Sequence, residues 1–452
     1  MTHRFVRIAL VAVAAAWLSF AAAAQSLIRD TEIEDILREY TDPILEAAGL
    51  VPEDVGLFII NDPSLNAFVA NGQRIHLHTG LIVASETPGQ LKGVIAHETC
   101  HIACGHSISR ARAASVASRP ALISIGLGIL AIAAGAPDAG AALIASSQQF
   151  AALNFFVHTR AEEATADQKA VDYLAALGES PAGLVEFFDN FRYQEVLSEA
   201  RRFPYFRTHP LASDRIQTLR NRAEETGLMD TPPSERSVRQ LEMMQAKIIG
   251  FLYTTNYVYQ KYPQDDKSDP AHYARSIAAL QAADVPTALR ELEPLLEKEP
   301  ENPYYHELKG DIFFRNGKAE LAVEHHARAV ELAPGRPLLL VNYAQSLLGR
   351  DAEGDVALAE QALRDALIRE PNNAYGWSQL AIALDKQGRR AEAQLATAER
   401  AFHIGDYPRA QHFSNLAIRG LEPNTPLWRQ ASDIASATDP RLAENARLYR
   451  RR

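Results

Sequence analysis

Cysteine is almost absent: two residues in 452, Cys100 and Cys104. So few exclude a disulfide framework, and four residues apart on a helix they are poorly placed for an unstrained bridge. Both are expected to be buried small apolar side chains, with metal ligation by Cys104 the lesser alternative. Positive charge is also short. Lys and Arg number 46 against 56 Asp and Glu, a formal net charge of −10, which leaves no electrostatic case for nucleic acid. Past the first residues, no apolar run reaches the roughly 20 residues that a spanning helix needs. The nearest, Ala121 to Ala136, is short and broken by Pro137-Asp138-Ala139-Gly140 before Ala141 to Ala145. Pro120 to Ala145 therefore reads as a buried helical hairpin, or as a mobile segment that touches a membrane or covers a site.

What is present begins with an address. Arg4 and Arg7 precede the apolar run Ile8 to Phe20, and Ala21 to Ala24 follow. This is the pattern of a secretory signal peptide cut near Ala24, an uncleaved anchor being the alternative. Cleavage takes the net charge from −10 to −12. The length argues for two or three domains. The arginines of the tail (Arg441, Arg447, Arg450, Arg451, Arg452) read as a solvated end.

The chemistry is concentrated in His97-Glu98-Thr99-Cys100-His101, an H-E-x-x-H on an apolar helical background. Residues four apart share a helix face, so His97 and His101 can offer imidazole nitrogens to one metal ion. Catalytic zinc takes three protein ligands and keeps one position open. Glu98, about 100° round the helix, is placed to act on a water at the metal as general base. The third ligand lies among His106, Glu162, Glu163, Asp167 and His209. His106 falls on the opposite face if the helix continues. Glu163 fits best, because Asp167 lies one turn on along the same face and can receive the free N–H of a ligand histidine. Glu162 points elsewhere and is expected to be solvated or salt-bridged.

Around this motif, Asp30 to Gly49 reads as two helical pieces broken at Asp42-Pro43. Strands are expected at Val55 to Ile60, Ala67 to Ala70 and Arg74 to His78, the last two joined by the hairpin signal Asn71-Gly72. Helices follow at Gln90 to Gly105 and Asn154 to Leu177, then an irregular stretch to His209-Pro210 and a helix through Arg215. Thr231-Pro232-Pro233-Ser234 reads as a linker. Beyond it the chain repeats. Glu299-Pro300, Ala333-Pro334 and Glu370-Pro371 each end a helical unit, 34 and then 37 residues apart. The first spacing is the tetratricopeptide period, and the second allows an insertion around Asp351 to Asp355. Gly310, Ala322, Ala329, Ala344, Ala359 and Ala366 fill the small packing positions. Such solenoids present a concave face to peptides or partner proteins.

H-E-x-x-H at His97 to His101, followed by R-x-x-E-x-x-A-D at Arg160 to Asp167, resembles the zinc peptidase family of the CAAX-prenyl endopeptidases. Thr208-His209-Pro210-Leu211 with Arg215 resembles a third motif of that family. The resemblance implies His97, His101 and Glu163 as ligands of one Zn2+ per chain and Glu98 as catalytic base. It also implies a place at the site for His209, either stabilising the transition state or capping the zinc at rest. Asn66-Ala67-Phe68 resembles the family's strand beside the cleft, and Arg215 is a further candidate for steadying an oxyanion. The multi-span helices of prenyl-processing members are absent, so prenylated substrates are not implied. With a signal peptide and repeats, the chain is similar to family members of the Gram-negative periplasm. That implies unfolded or misassembled envelope proteins as substrates, the outer-membrane protein assembly machinery as partner, and peripheral membrane contact. The alternative is a periplasmic chaperone or adaptor with a latched or silent site.

The expected fold is thus mainly α. An α+β zincin-type domain with a small sheet (residues 25–230) follows the signal peptide (1–24). A linker and connecting helix (231–268), an α-solenoid of tetratricopeptide repeats (269–430) and a tail (431–452) complete the chain.

Overall fold

The computed structural model describes residues 27–70, 72–106, 160–196, 209 and 213–439. The expected signal peptide, the Pro120 to Ala145 stretch and most of the tail lie outside them. The chain divides into two compact units. The first comprises residues 1–29 and 34–244, and the second Asp30–Ile33 with residues 245–452.

The first unit contains a four-stranded sheet in the order β1-β2-β4-β3, from β1 (Leu27–Ile28), β2 (Gly56–Ile60), β3 (Ala67–Val69) and β4 (Arg74–His78). β3 pairs antiparallel with β4, as a hairpin requires, and Gly72 takes a left-handed φ of 92°; Asn71 lies outside the described residues. β2 runs parallel to β4. Ile75 and Leu77 enter the core, as the alternation of β4 requires, but His78 is buried as well. Its Nδ1 meets Ser64 Oγ at 2.9 Å, so a polar partner accompanies it inside.

One expectation is corrected before the sheet. Thr31–Ala47 is a single helix, α1, with Pro43 inside it. Pro43 removes one amide donor, but it lies on the exposed side, where water can serve the orphaned carbonyl. Leu37, Tyr40, Ile44 and Leu45 bury the other face and hold the helix through the break.

After the short α2 (Thr79–Ala84) comes α3 (Pro88–Ala103), which carries His97 and His101. Thr87 caps its start by accepting from the Gln90 amide, and Pro88 occupies the first turn, where a missing N–H costs nothing. Next are α4 (160–176) and α5 (Ala182–Val196), then α6 (Ser213–Glu225). α3 and α5 pack closely because glycines face each other. A Cβ on Gly93 would lie 2.7 Å from that of Leu184. This contact brings Phe188 of α5 edge-on to His97, at 6.3 Å between ring centroids.

α7 (Glu235–Leu252) and α8 (Thr255–Lys261) lead into paired helices of the second unit. The first helices of the pairs are α9 (Asp269–Gln281), α11 (Pro303–Arg315), α13 (Pro337–Arg350), α15 (Ala374–Lys386) and α17 (Tyr407–Gly420). Their partners are α10 (Val285–Lys298), α12 (Ala319–Leu332), α14 (Asp355–Arg369), α16 (Arg390–His403) and α18 (Pro426–Ala437). The residues expected at small positions are buried: Gly310, Ala322, Ala329, Ala344, Ala359 and Ala366. The insertion is a turn with Asp351 and Gly354 both left-handed, at φ 55° and 85°. Among the described residues no helix is long and apolar enough to cross a membrane.

Candidate active site

α3 sets the geometry. His97 and His101, one turn apart, bring their Nε2 atoms to 3.2 Å of each other. α4 supplies Glu163, whose Oε2 lies 3.2 Å from His97 Nε2 and whose Oε1 lies 3.5 Å from His101 Nε2. His209 joins them, its Nδ1 2.8 Å from Glu163 Oε2 and 3.2 Å from His97 Nε2. All four side chains are buried, and their ligand atoms lie within 4.8 Å of one another. Glu98 is fully buried beside them, with Oε1 3.4 Å from His209 Nε2.

One turn beyond Glu163, Asp167 meets His97 Nδ1 at 3.0 Å. Arg215 of α6 donates to both Asp167 oxygens, through Nε and, at 2.8 Å, through Nη2. The same Nη2 lies 3.3 Å from Glu163 Oε2, and the guanidinium sits 5.1 Å over the Phe188 ring. Arg215 therefore meets the two carboxylates of α4. Ala67 and Phe68 are on β3, with Asn66 just before it; β3 is the edge strand among the described residues and packs on α3.

Electrostatics follow from burial against pairing. Burial disfavours a charged His97, but hydrogen bonds to Asp167 and Glu163 outweigh it and lift its pKa to about 9. Burial likewise opposes the charge on Glu163 and Asp167. His209 and then His97 hold Glu163 far below the usual carboxylate range. Arg215 and then His97 lower the pKa of Asp167. With Nδ1 of His97 committed to Asp167, Nε2 is the atom left to face the cluster. Two such imidazole nitrogens and a carboxylate oxygen at 3.2 to 3.5 Å suit one divalent cation, which would satisfy all three donors at once.

Sequence reasoning missed two features here. Cys100 and Cys104 form a disulfide, with Cα atoms 5.3 Å apart. They are paired because α3 ends at Ala103, and Cys104 caps it rather than continuing a regular turn. Glu162 is buried, 5% exposed, which excludes the solvated one of its two expected placements and leaves the salt-bridged one. His106 lies beside His101, not opposite it, with the two Nδ1 atoms 2.8 Å apart. The signal was Gly105. At φ 68° it reverses the chain just past the helix end, a conformation that glycine adopts freely.

A buried two-histidine, one-glutamate cluster around an H-E-x-x-H helix, backed by a carboxylate, defines a metallopeptidase. Residues 28–223 match peptidase family M48, and residues 263–410 match the cytochrome c-type biogenesis protein H TPR domain. The chain is 26% identical to the Beta-barrel assembly-enhancing protease of Escherichia coli (strain K12) over 380 residues, 82% of this chain and 76% of that protein. It is 25% identical to a putative protein of the same name from Vibrio cholerae, over 88% of this chain and 82% of that one. Metalloprotease LoiP of E. coli is 29% identical over 36% of this chain and 61% of its own.

Proposed function

We propose that this chain is an exported zinc endopeptidase of the Gram-negative periplasm that cleaves unfolded or misassembled envelope proteins. Its repeats would recruit those clients or the outer-membrane protein assembly machinery. The observation that carries the reading is the donor set of His97, His101 and Glu163, mutually within 3.5 Å, with Glu98 buried beside it. Two imidazoles and a carboxylate are the ligand class of a catalytic zinc centre with one open position. Zinc bound there would polarise the scissile carbonyl and make water a nucleophile near neutral pH.

The chain's own groups supply the rest. Glu98 takes a proton from the attacking water and delivers it to the leaving amine. Asp167 fixes the His97 tautomer, and Arg215 fixes Asp167. The substrate adds as a strand along the outer side of β3, the edge strand among the described residues. Asn66 O and the Ala70 amide turn toward β4, so the backbone groups of Ala67 and Val69 turn outward. Cleavage of an unfolded protein such as casein, abolished by chelation and restored by zinc, tests the reading.

If Glu163 is the third ligand, Glu163→Ala should lower zinc occupancy about 10- to 100-fold at limiting zinc, while Glu162→Ala leaves it nearly unchanged. The reverse ranking in a metal-content measurement would overturn the assignment.

Proton release is a second expectation. With its pKa near 9, His97 of the metal-free protein is protonated at pH 7 and must lose that proton to become a ligand. Zinc uptake should therefore release a proton below about pH 9, and affinity should climb with pH up to that value. The metal-free fold behaves oppositely. A raised histidine pKa contributes stability that is complete below the unfolded value, roughly 6.5, and is lost as pH rises through 9. Calorimetry in buffers of different ionisation enthalpy counts the proton; equal heats in all of them would contradict this.

A latch is supported by His209, whose Nδ1 stands at ligand-like separations from His97 and Glu163. A ring nitrogen of His209 in the fourth position would exclude the attacking water. His209→Ala should then raise casein cleavage at unchanged zinc content. A fall would instead assign His209 to transition-state stabilisation.

A further inference from the structure

We propose that His106 is the positioning residue of His101, the counterpart of Asp167 on His97, and that the Cys100–Cys104 disulfide holds the turn that delivers it. The inference rests on the metal reading above and extends it to the second ligand histidine.

His101 presents Nε2 toward His97 and Glu163, so its ring proton belongs on Nδ1. On that side Nδ1 forms a short hydrogen bond of 2.8 Å with His106 Nδ1, and both rings are buried, 3% and 7% exposed. One of two facing nitrogens must donate. Donation from His101 Nδ1 to a lone pair on His106 Nδ1 leaves His101 Nε2 unprotonated, as a metal requires. It makes His106 the tautomer protonated on Nε2. The two rings stand 64° apart, which lets the acceptor lie in the plane of the donor ring without stacking.

The backbone brings His106 there in three steps. The Cys104 amide donates to Cys100 O at 2.7 Å and closes α3; the Gly105 amide donates to Ile102 O at 3.0 Å; Gly105 then reverses the chain. The disulfide from Cys100 to Cys104 spans His101 and ties this turn to the fully buried Cys100 side chain. As half-cystines the two sulfurs are not thiolates, so this group of Cys100, Cys104 and His106 serves the histidine centre rather than a second ion.

Zinc retention against a chelator tests this on the full-length protein. His106→Ala should bind zinc about 10- to 100-fold more weakly, while the melting temperature of its metal-free form stays near the parent's. His106→Asn should restore most of the affinity, because asparagine Oδ1 falls where histidine Nδ1 was and accepts the same hydrogen bond. His106→Gln, which places its oxygen near Nε2 instead, should not. The double variant Cys100→Ala/Cys104→Ala should weaken retention in the parent background and change nothing further with His106→Ala, since the two act through one contact. Unchanged retention in His106→Ala, or Asn no better than Ala, would overturn the role of His106. Equal weakening by the cysteine pair in both backgrounds would overturn the role of the disulfide. A parent protein that binds no zinc would instead overturn the metal reading itself.

Discussion

Glu98→Gln is expected to keep the fold and the metal while losing cleavage by at least two to four orders of magnitude, roughly the span of general acid–base catalysis. Glu98 is fully buried next to His97, and its Oε1 faces His209 Nε2 at 3.4 Å. Glutamine fills the same volume and keeps a polar head toward that ring, so packing gives no reason for unfolding. The three donors His97, His101 and Glu163 are untouched. What disappears is a carboxylate able to hold a proton between attack and departure of the amine. Metal content and melting temperature at parental values, with casein left intact, are the expected results. Near-parental turnover would mean that the proton moves by another route and that Glu98 is assigned wrongly.

The largest expected effect on stability lies in the second unit, at Lys247. Its Nζ is 2.9 Å from Asp30 Oδ2, 3.1 Å from Glu32 Oε2 and 3.8 Å from Glu307 Oε2, with the residue only 4% exposed. Burial pushes Glu307 up to about 8 even though Lys247 pulls the other way, and burial also raises Glu32. Tyr273 OH donates to Glu32 at 2.6 Å. Lys247→Ala leaves three carboxyl groups facing a void with their cation gone. Breaking a buried pair from one side costs about 3–5 kcal/mol, and we expect a loss of that order in denaturant unfolding of the second unit. A loss under about 1 kcal/mol, the scale of an exposed pair, would contradict the role given to this lysine.

The contrast between these two positions explains what the sequence reveals. Helical periodicity alone aligns His97 with His101, and Glu163 with Asp167, because both relations lie within one turn of a regular element. The β3–β4 hairpin is legible for the same reason: Gly72 and the alternation of Ile75 and Leu77 are local. The repeats are legible because prolines and small residues recur at the packing period. The Lys247 cluster is not, since it joins residue 247 to positions 30, 32, 273 and 307, which no local period relates. His106 and the cysteines fail differently. Their placement depends on the residue at which α3 stops, and extending a regular helix past Ala103 sends His106 to the wrong side. Pro43 fails because exposure, which sequence does not state, decides whether a missing amide matters.

Titration of the metal-free, full-length protein with zinc while casein cleavage is followed tests the central claim most directly. The account predicts no cleavage without metal and a linear rise that stops at one zinc per chain. It predicts no rise at that point in Glu98→Gln, although that variant takes up the same single equivalent. Cleavage by the metal-free protein, or a rise that ignores the first equivalent of zinc, would contradict it.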